Sequence, residues 1–224
     1  RRGCQIADPQ TKPVDMQTTG DAQGPDYVQR MTGGSQKYLY HIVEELEARH
    51  MPTELALLPF IESAYNPQAL SVAKAAGMWQ FMPGTGRTYN LKRNMWQDER
   101  RDVPASTSAA LDYLSRLHDM FGDWYLALAA YNWGEGNVQR AIARNQAAGL
   151  PTDYLSLRMP NETRNYVPKL QAVKNIIANP QQYGLALPDI PNHPYFVTVT
   201  TSRDIDVAVA VKLANLSPAE IRSS

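Results

Sequence analysis

Glu62 stands near the end of an apolar run, ELALLPFIES, at residues 54–63. Leu55, Leu57, Leu58, Phe60 and Ile61 read as a buried helix, so the Glu62 carboxyl emerges where loss of water raises its pKa. An acid held protonated near neutral pH can give its proton to a substrate oxygen. For an isolated Glu the alternative is a helix-end carboxylate facing solvent. The downstream residues argue against that alternative: Ser63, a helix stop at Asn66-Pro67, Ser71, then Gly77-Met78-Trp79-Gln80-Phe81-Met82-Pro83.

Two later stretches add chemistry-bearing side chains. Tyr131 and Asn132 lie in A-Y-N-W-G-E-G-N-V, where two glycines permit a tight turn. Glu162 and Tyr166 lie in E-T-R-N-Y-V. The order E-S, a serine nine positions after the acid, then G-x-x-Q-x-M-P resembles the catalytic core of the lysozyme-like lytic transglycosylases, the goose-type lysozyme superfamily. Glu62, Ser63, Ser71, Gly77, Gln80, Met82 and Pro83 fall on that pattern. A-Y-N-x-G-x-G-x-V and E-T-R-x-Y-V match further motifs of that family, in order, over roughly residues 38–185. F-I-E-S-A-Y, the run Asp98 to Thr107 and N-E-T-R-N-Y-V-P-K are most similar to the membrane-bound lytic transglycosylases of the D type.

The resemblance implies a mainly α fold: a lysozyme-like α-helical catalytic domain with a short C-terminal strand-helix extension. It implies peptidoglycan glycan strands as partner, cut between N-acetylmuramic acid and N-acetylglucosamine to leave a 1,6-anhydro end. Most glycosidases need two carboxylates. No second acid follows Glu62 up to Met82, which suits attack by the substrate's own C6 hydroxyl. Glu62 is then acid first and base second. Ser71 matches the family serine that supports the N-acetyl group, Tyr131 the tyrosine beside the catalytic centre, and Gln80 and Met82 the cleft lining. Ser63, Asn132, Glu162 and Tyr166 fall on substrate-binding positions, with Glu162 orienting partners more than performing chemistry. Neither a metal nor an organic cofactor is called for. Two other readings stay open: a hydrolysing lysozyme, with Glu135, Glu162 or Asp98 as second carboxylate, and a non-catalytic glycan-binding scaffold.

Composition sets the bounds. The 224 residues carry 22 basic and 22 acidic side chains, so no global field draws the chain to nucleic acid. One cysteine, Cys4, excludes an internal disulfide and a thiolate metal site, and the four histidines are scattered. No apolar run reaches about 18 residues, so nothing spans a membrane. Gly3-Cys4 resembles the end of a lipoprotein signal, although Arg1-Arg2 does not fit it. Lipidation there would attach the protein to a membrane. The substrate and family imply a periplasmic place, anchored at the outer membrane if Cys4 is acylated.

The elements that must position these residues follow from periodicity. Residues 1–35 read as a loose arm, 36–185 as the catalytic domain, and 186–224 as a linker with a LysM-like or stabilising extension. Leu39, Ile42, Val43 and Leu46 predict an amphipathic helix from Tyr38 to His50. Thr53 is expected to cap the helix bearing Glu62, with Pro59 bending it. A loop and short helix are expected before Gly77, chain breaks at Gly84 and Gly86, and a surface connection over 90–103 anchored by Trp96. The G-T-G-R-T run lacks phosphate-loop spacing. Helices follow over 104–121, closed by Gly122, and from the Asp123 cap through the apolar WYLALAAYN. Another spans 138–148. One long helix is expected from Asn161, bent at Pro168, with Val167, Leu170, Val173 and Ile177 inward. A strand over 196–200 and helices beyond Asp204 close the chain. Trp79, Phe81, Trp133, Tyr65 and Tyr131 are candidate faces for sugar rings, Trp79 equally a core residue, and Trp124 core.

Overall fold

Helix α1 (Pro25–Ala48) turns its apolar side, fully buried Ile42 and Leu46, toward the core. A computed structural model of the chain describes residues 25–183 and 185–196, with side chains from residue 32 to 182 and from 185 onward. The stretch expected to begin at Tyr38 is thus the second half of a longer helix, and residues 25–35 of the expected arm belong to it. Gly33-Gly34 hid this. At Gly34 an added Cβ would lie 2.6 Å from the Tyr65 carbonyl oxygen, so the glycine is what lets α1 approach the segment after Glu62.

The run bearing Glu62 folds as two short pieces, not one capped helix. A 3-10 turn spans Thr53–Leu57, preceded by Pro52, and α2 (Leu58–Ser63) follows with Pro59 in its first turn. Thr53 is no cap and Pro59 no bend: proline lacks an N–H and is accommodated where none is needed. The helix ends before Asn66, because Ala64 (φ 50°) and Tyr65 (φ 61°) both take left-handed backbone. Burial of the whole Tyr65 side chain, and its phenol donating to the Ala56 carbonyl at 2.6 Å, hold that conformation.

Residues 67–77 form no helix; Leu70 pairs with Ala76 and Ala76 with Phe81 in isolated bridges. Gly84 and Gly86 lie inside α3 (Pro83–Thr88) rather than breaking the chain. In the following connection Trp96 is 90% exposed and anchors nothing. The anchor is Arg100, 2% exposed, which donates to Asp98 and to the carbonyls of Lys74 (2.8 Å) and Phe81 (2.9 Å).

Helix α4 (Val103–Phe121) is capped by Asp102, which accepts from the Ala105 N–H at 2.7 Å. Ser106 and Thr107 are buried inside it, and Thr107 accepts from the Trp79 indole at 3.0 Å. Gly122 closes it in left-handed backbone, and Asp123 caps α5 (Trp124–Trp133). Ala127 to Ala130 of α5 are fully buried, and this helix packs against α4, α6 (Glu135–Ala147) and two later helices. Trp124 is only half-buried, stacked on His118 with centroids 4.2 Å apart.

The expected single helix after Pro160 is two: α7 (Asn161–Arg164) and α8 (Tyr166–Ala178), broken at Asn165. Pro160 precedes the first, and Asn161 makes no side-chain cap bond. Pro168 falls in the first turn of α8, where it is tolerated. Val167, Leu170 and Ile176 face the core, whereas Ile177 is 39% exposed. A 3-10 turn, Pro180–Tyr183, ends the helical part. Phe196 rests on Tyr38 and His41 without being in a strand. The remaining strand and helices expected after 196, and Cys4, lie outside the described residues.

Candidate active site

Helices α2 and α8, far apart in sequence, bring Glu62 and Tyr166 together. The Tyr166 phenol donates to Oε1 of Glu62 at 2.5 Å. Burial pushes the Glu62 pKa from an ordinary 4.5 up to about 7; the Tyr166 bond pulls it back, the Glu162 charge raises it and Lys169 lowers it. Burial, and then the neighbouring Glu62 charge, pushes the Tyr166 and Tyr131 phenols well above their usual range, so both remain proton donors.

A second group of side chains fixes the other acid. Asn132 donates to Oε1 of Glu162 at 3.1 Å, and its own carbonyl accepts from the Thr163 hydroxyl at 2.8 Å. Thr163 is buried and was not singled out from the sequence; its place inside E-T-R-x-Y-V was the signal. Lys169, one turn of α8 after Tyr166, was missed as well, since only the fold brings its charge near Glu62.

The segment 76–82 is held from two sides. Ser63 donates to the Met78 carbonyl at 2.9 Å, and Tyr131 to the Trp79 carbonyl at 2.7 Å. Ser63 is therefore committed to the framework. Gln80 has left-handed backbone (φ 51°) and donates from its amide to the Gly77 carbonyl at 2.8 Å. Gly77, at φ 82°, lies where an added Cβ would sit 1.7 Å from the Arg100 carbonyl oxygen. Ser71 accepts from the Ala75 N–H at 3.0 Å, and Met82 is 46% exposed just before α3. Among the described residues, neither is a hydrogen-bond partner of Glu62.

Of the aromatic residues proposed as sugar platforms, Trp79, Tyr65 and Phe81 are buried in the core. Tyr131 and Trp133 remain partly exposed. Among the described residues, no group of three or more His, Cys, Asp or Glu side chains is placed to hold a metal ion. One half-buried acid with a raised pKa, a phenol to aim it and a second acid engaged by an amide can donate a proton and take one back.

Comparison with known proteins shows which family the chain is similar to. The model of the transglycosylase SLT domain family matches residues 40–151, which contain Glu62, Gln80, Tyr131 and Asn132. Membrane-bound lytic murein transglycosylase D of Escherichia coli (strain K12) is 44% identical over 198 residues, 88% of this chain and 44% of the relative. A protein of Alteromonas sp. (strain M-1) named for tributyltin chloride resistance is 40% identical over 161 residues, 71% of this chain and 76% of the relative. Soluble lytic murein transglycosylase of Escherichia coli (strain K12) is 29% identical over 136 residues, 58% of this chain and 20% of the relative. The chain thus spans less than half the length of the transglycosylase D relative. A family match covering half the chain, together with likeness over most of it, makes this chain a member of the transglycosylase SLT domain family.

Proposed function

We propose that this chain is a peptidoglycan lytic transglycosylase that cleaves the β-1,4 bond between N-acetylmuramic acid and N-acetylglucosamine and leaves a 1,6-anhydromuramyl end. The observation that carries the reading is the single carboxyl of Glu62, raised by burial to about 7 and aimed by Tyr166. Glu62 gives its proton to the glycosidic oxygen as the C1–O bond breaks. The C6 hydroxyl of the same sugar then bonds to C1 and returns its proton to Glu62, which ends as it began. The route needs no outside nucleophile, metal or organic cofactor.

The other residues have positioning and binding roles. Tyr166 orients Glu62 and stabilises its anion between the two steps. The substrate's N-acetyl group relieves charge at C1, and Ser71 steadies that group at the edge of the site. Gln80, Met82 and Tyr131 line the groove, with Ser63 supporting its floor through Met78. Asn132 holds the Glu162 carboxylate, whose charge raises the Glu62 pKa. Holding the C6 hydroxyl near C1 exploits proximity, a contribution of about 7–11 kcal/mol in well-oriented intramolecular reactions.

We infer a periplasmic location from the proposed substrate; the relatives named membrane-bound support attachment to the envelope, and a lipidated Cys4 is the anchor we propose for it. No helix among the described residues is long and apolar enough to cross a membrane. Mass spectrometry of the muropeptides released from purified peptidoglycan tests the reaction. Products one water lighter than hydrolytic ones are expected. Products carrying the added water would replace this reading with a lysozyme, and none, with binding retained, would leave a scaffold.

A further inference from the structure

Beside the site lies a cavity of about 380 Å³ that the mechanism does not use, lined among others by Arg140, Arg144, Arg158, Trp133, Met159 and Pro160. Its size falls in the range of small-ligand sites, roughly 300–1,000 Å³. Its lining carries three arginines. Arg49, Arg93, Arg100 and Arg116 each have a carboxylate within ion-pair distance. Arg140 instead donates to the neutral Asn137 carbonyl, at 2.5 Å, and no carboxylate pairs with Arg144 or Arg158 among the described residues. Arg140 and Arg144 are also one helical turn apart on α6, a like-charge spacing that is unfavourable on a helix face. No acidic side chain lines the cavity to offset it.

The position matters as much as the charge. Trp133 directly follows Asn132, and Pro160 lies two residues before Glu162, so the cavity is built on the two segments that carry the hydrogen-bonded Asn132–Glu162 pair. A group tethered to a sugar in the groove could enter it. Guanidinium groups bind carboxylates through paired, charge-assisted hydrogen bonds, and the Trp133 and Met159 side chains offer an apolar wall for the carbon skeleton. We propose that this cavity is a subsite for a carboxylate of the peptide stem carried by the muramic acid residue, so that the enzyme favours peptide-bearing strands over bare ones. The proposal rests on the transglycosylase reading for its substrate and deepens it.

The test compares strands that retain their stems with strands stripped of them by an amidase. Binding is measured with the cleavage-silent Glu62→Gln variant in sedimentation assays, so it is read even if the cleavage reading fails. The protein is expected to bind peptide-bearing strands about tenfold more tightly, as one charge-assisted contact allows. Arg144→Gln combined with Arg158→Gln should erase that preference. Both positions are exposed, and a thermal melt checks that the fold survives. Equal binding of both strands by the parent protein, or an undiminished preference in the double variant, would overturn the subsite. Inorganic phosphate separates the other source of the same chemistry: phosphate bound by the parent protein and not by the double variant, with no preference between the two strands, would assign the cavity to a free anion instead.

Discussion

Oε1 of Glu62 accepts a 2.5 Å hydrogen bond from the phenol of Tyr166, the closest tie between the two helices that frame the site. The bond favours the ionised carboxylate, and burial opposes it with the larger effect, leaving the pKa at about 7. In the proposed reaction Glu62 starts protonated. The kcat/KM profile should therefore be level below about pH 7 and fall roughly tenfold per unit above it. Tyr166→Phe removes an interaction that lowers the pKa, so the falling limb should move to higher pH while kcat drops. A limb that stays in place would separate Tyr166 from the ionisation of Glu62.

The same shift makes a statement about stability. A carboxyl whose folded pKa is raised stabilises the fold relative to the ionised state at low pH, and that advantage disappears as pH rises through the folded value. From 4.5 to about 7, the ionised Glu62 costs the native state on the order of 3 kcal/mol above neutrality. Glu62→Gln should lose about 10²- to 10⁴-fold in cleavage yet gain stability at about pH 8, with the gain shrinking toward zero near pH 4. Denaturant midpoints at both pH values give the answer, and an unchanged difference between them would contradict a buried ionising carboxyl.

Two glycines should respond in opposite directions. Gly77→Ala places a methyl group against the Arg100 carbonyl at a backbone angle that favours glycine, and should cost at least about 2–3 kcal/mol, since rigid backbone would have to yield. Gly84→Ala, with nothing within 4 Å and helical backbone, should gain up to about 1 kcal/mol. Urea titrations of both variants measure this directly.

Arg100 ties three distant segments, and Arg100→Met should cost about 3–5 kcal/mol because the carbonyls of Lys74 and Phe81 and the Asp98 carboxylate lose their donor together. Its hydrogen bonds hold the Asp98 carboxyl below the usual carboxylate range. A depressed pKa contributes stability above the unfolded value that is lost as pH falls through the folded one. Asp98→Asn should accordingly flatten the loss of stability on acidification, which thermal melts between about pH 3 and 6 would register.

The parts of this structure that were readable from sequence are those written in local chemistry. Asp123 and Gly122 punctuate the α4–α5 junction because capping is decided within a few residues. Glu62 stood out because its own neighbours bury it. Arg100 did not, since two of its partners lie 19 and 26 residues away and are main-chain carbonyls, which leave no mark in side-chain spacing. Trp96 misled because an aromatic residue amid polar ones suggests an anchor, yet nothing covers it. The break at Asn165 was hidden by a proline three residues later that drew the bend to itself. Gly34 fell in the stretch read as a loose arm, because its close approach to the Tyr65 carbonyl is set by the fold and not by its neighbours.

The hydroxyls of Ser63 and Tyr131 grip two consecutive carbonyls, those of Met78 and Trp79, from opposite helices. Such a double clasp ties the 78–79 main chain both to the helix that bears the acid and to α5. A polymer embedded in a mesh cannot be wrapped by a closing lid at every cut. In the proposed reaction, a groove whose width is fixed in advance would let a strand enter from the side.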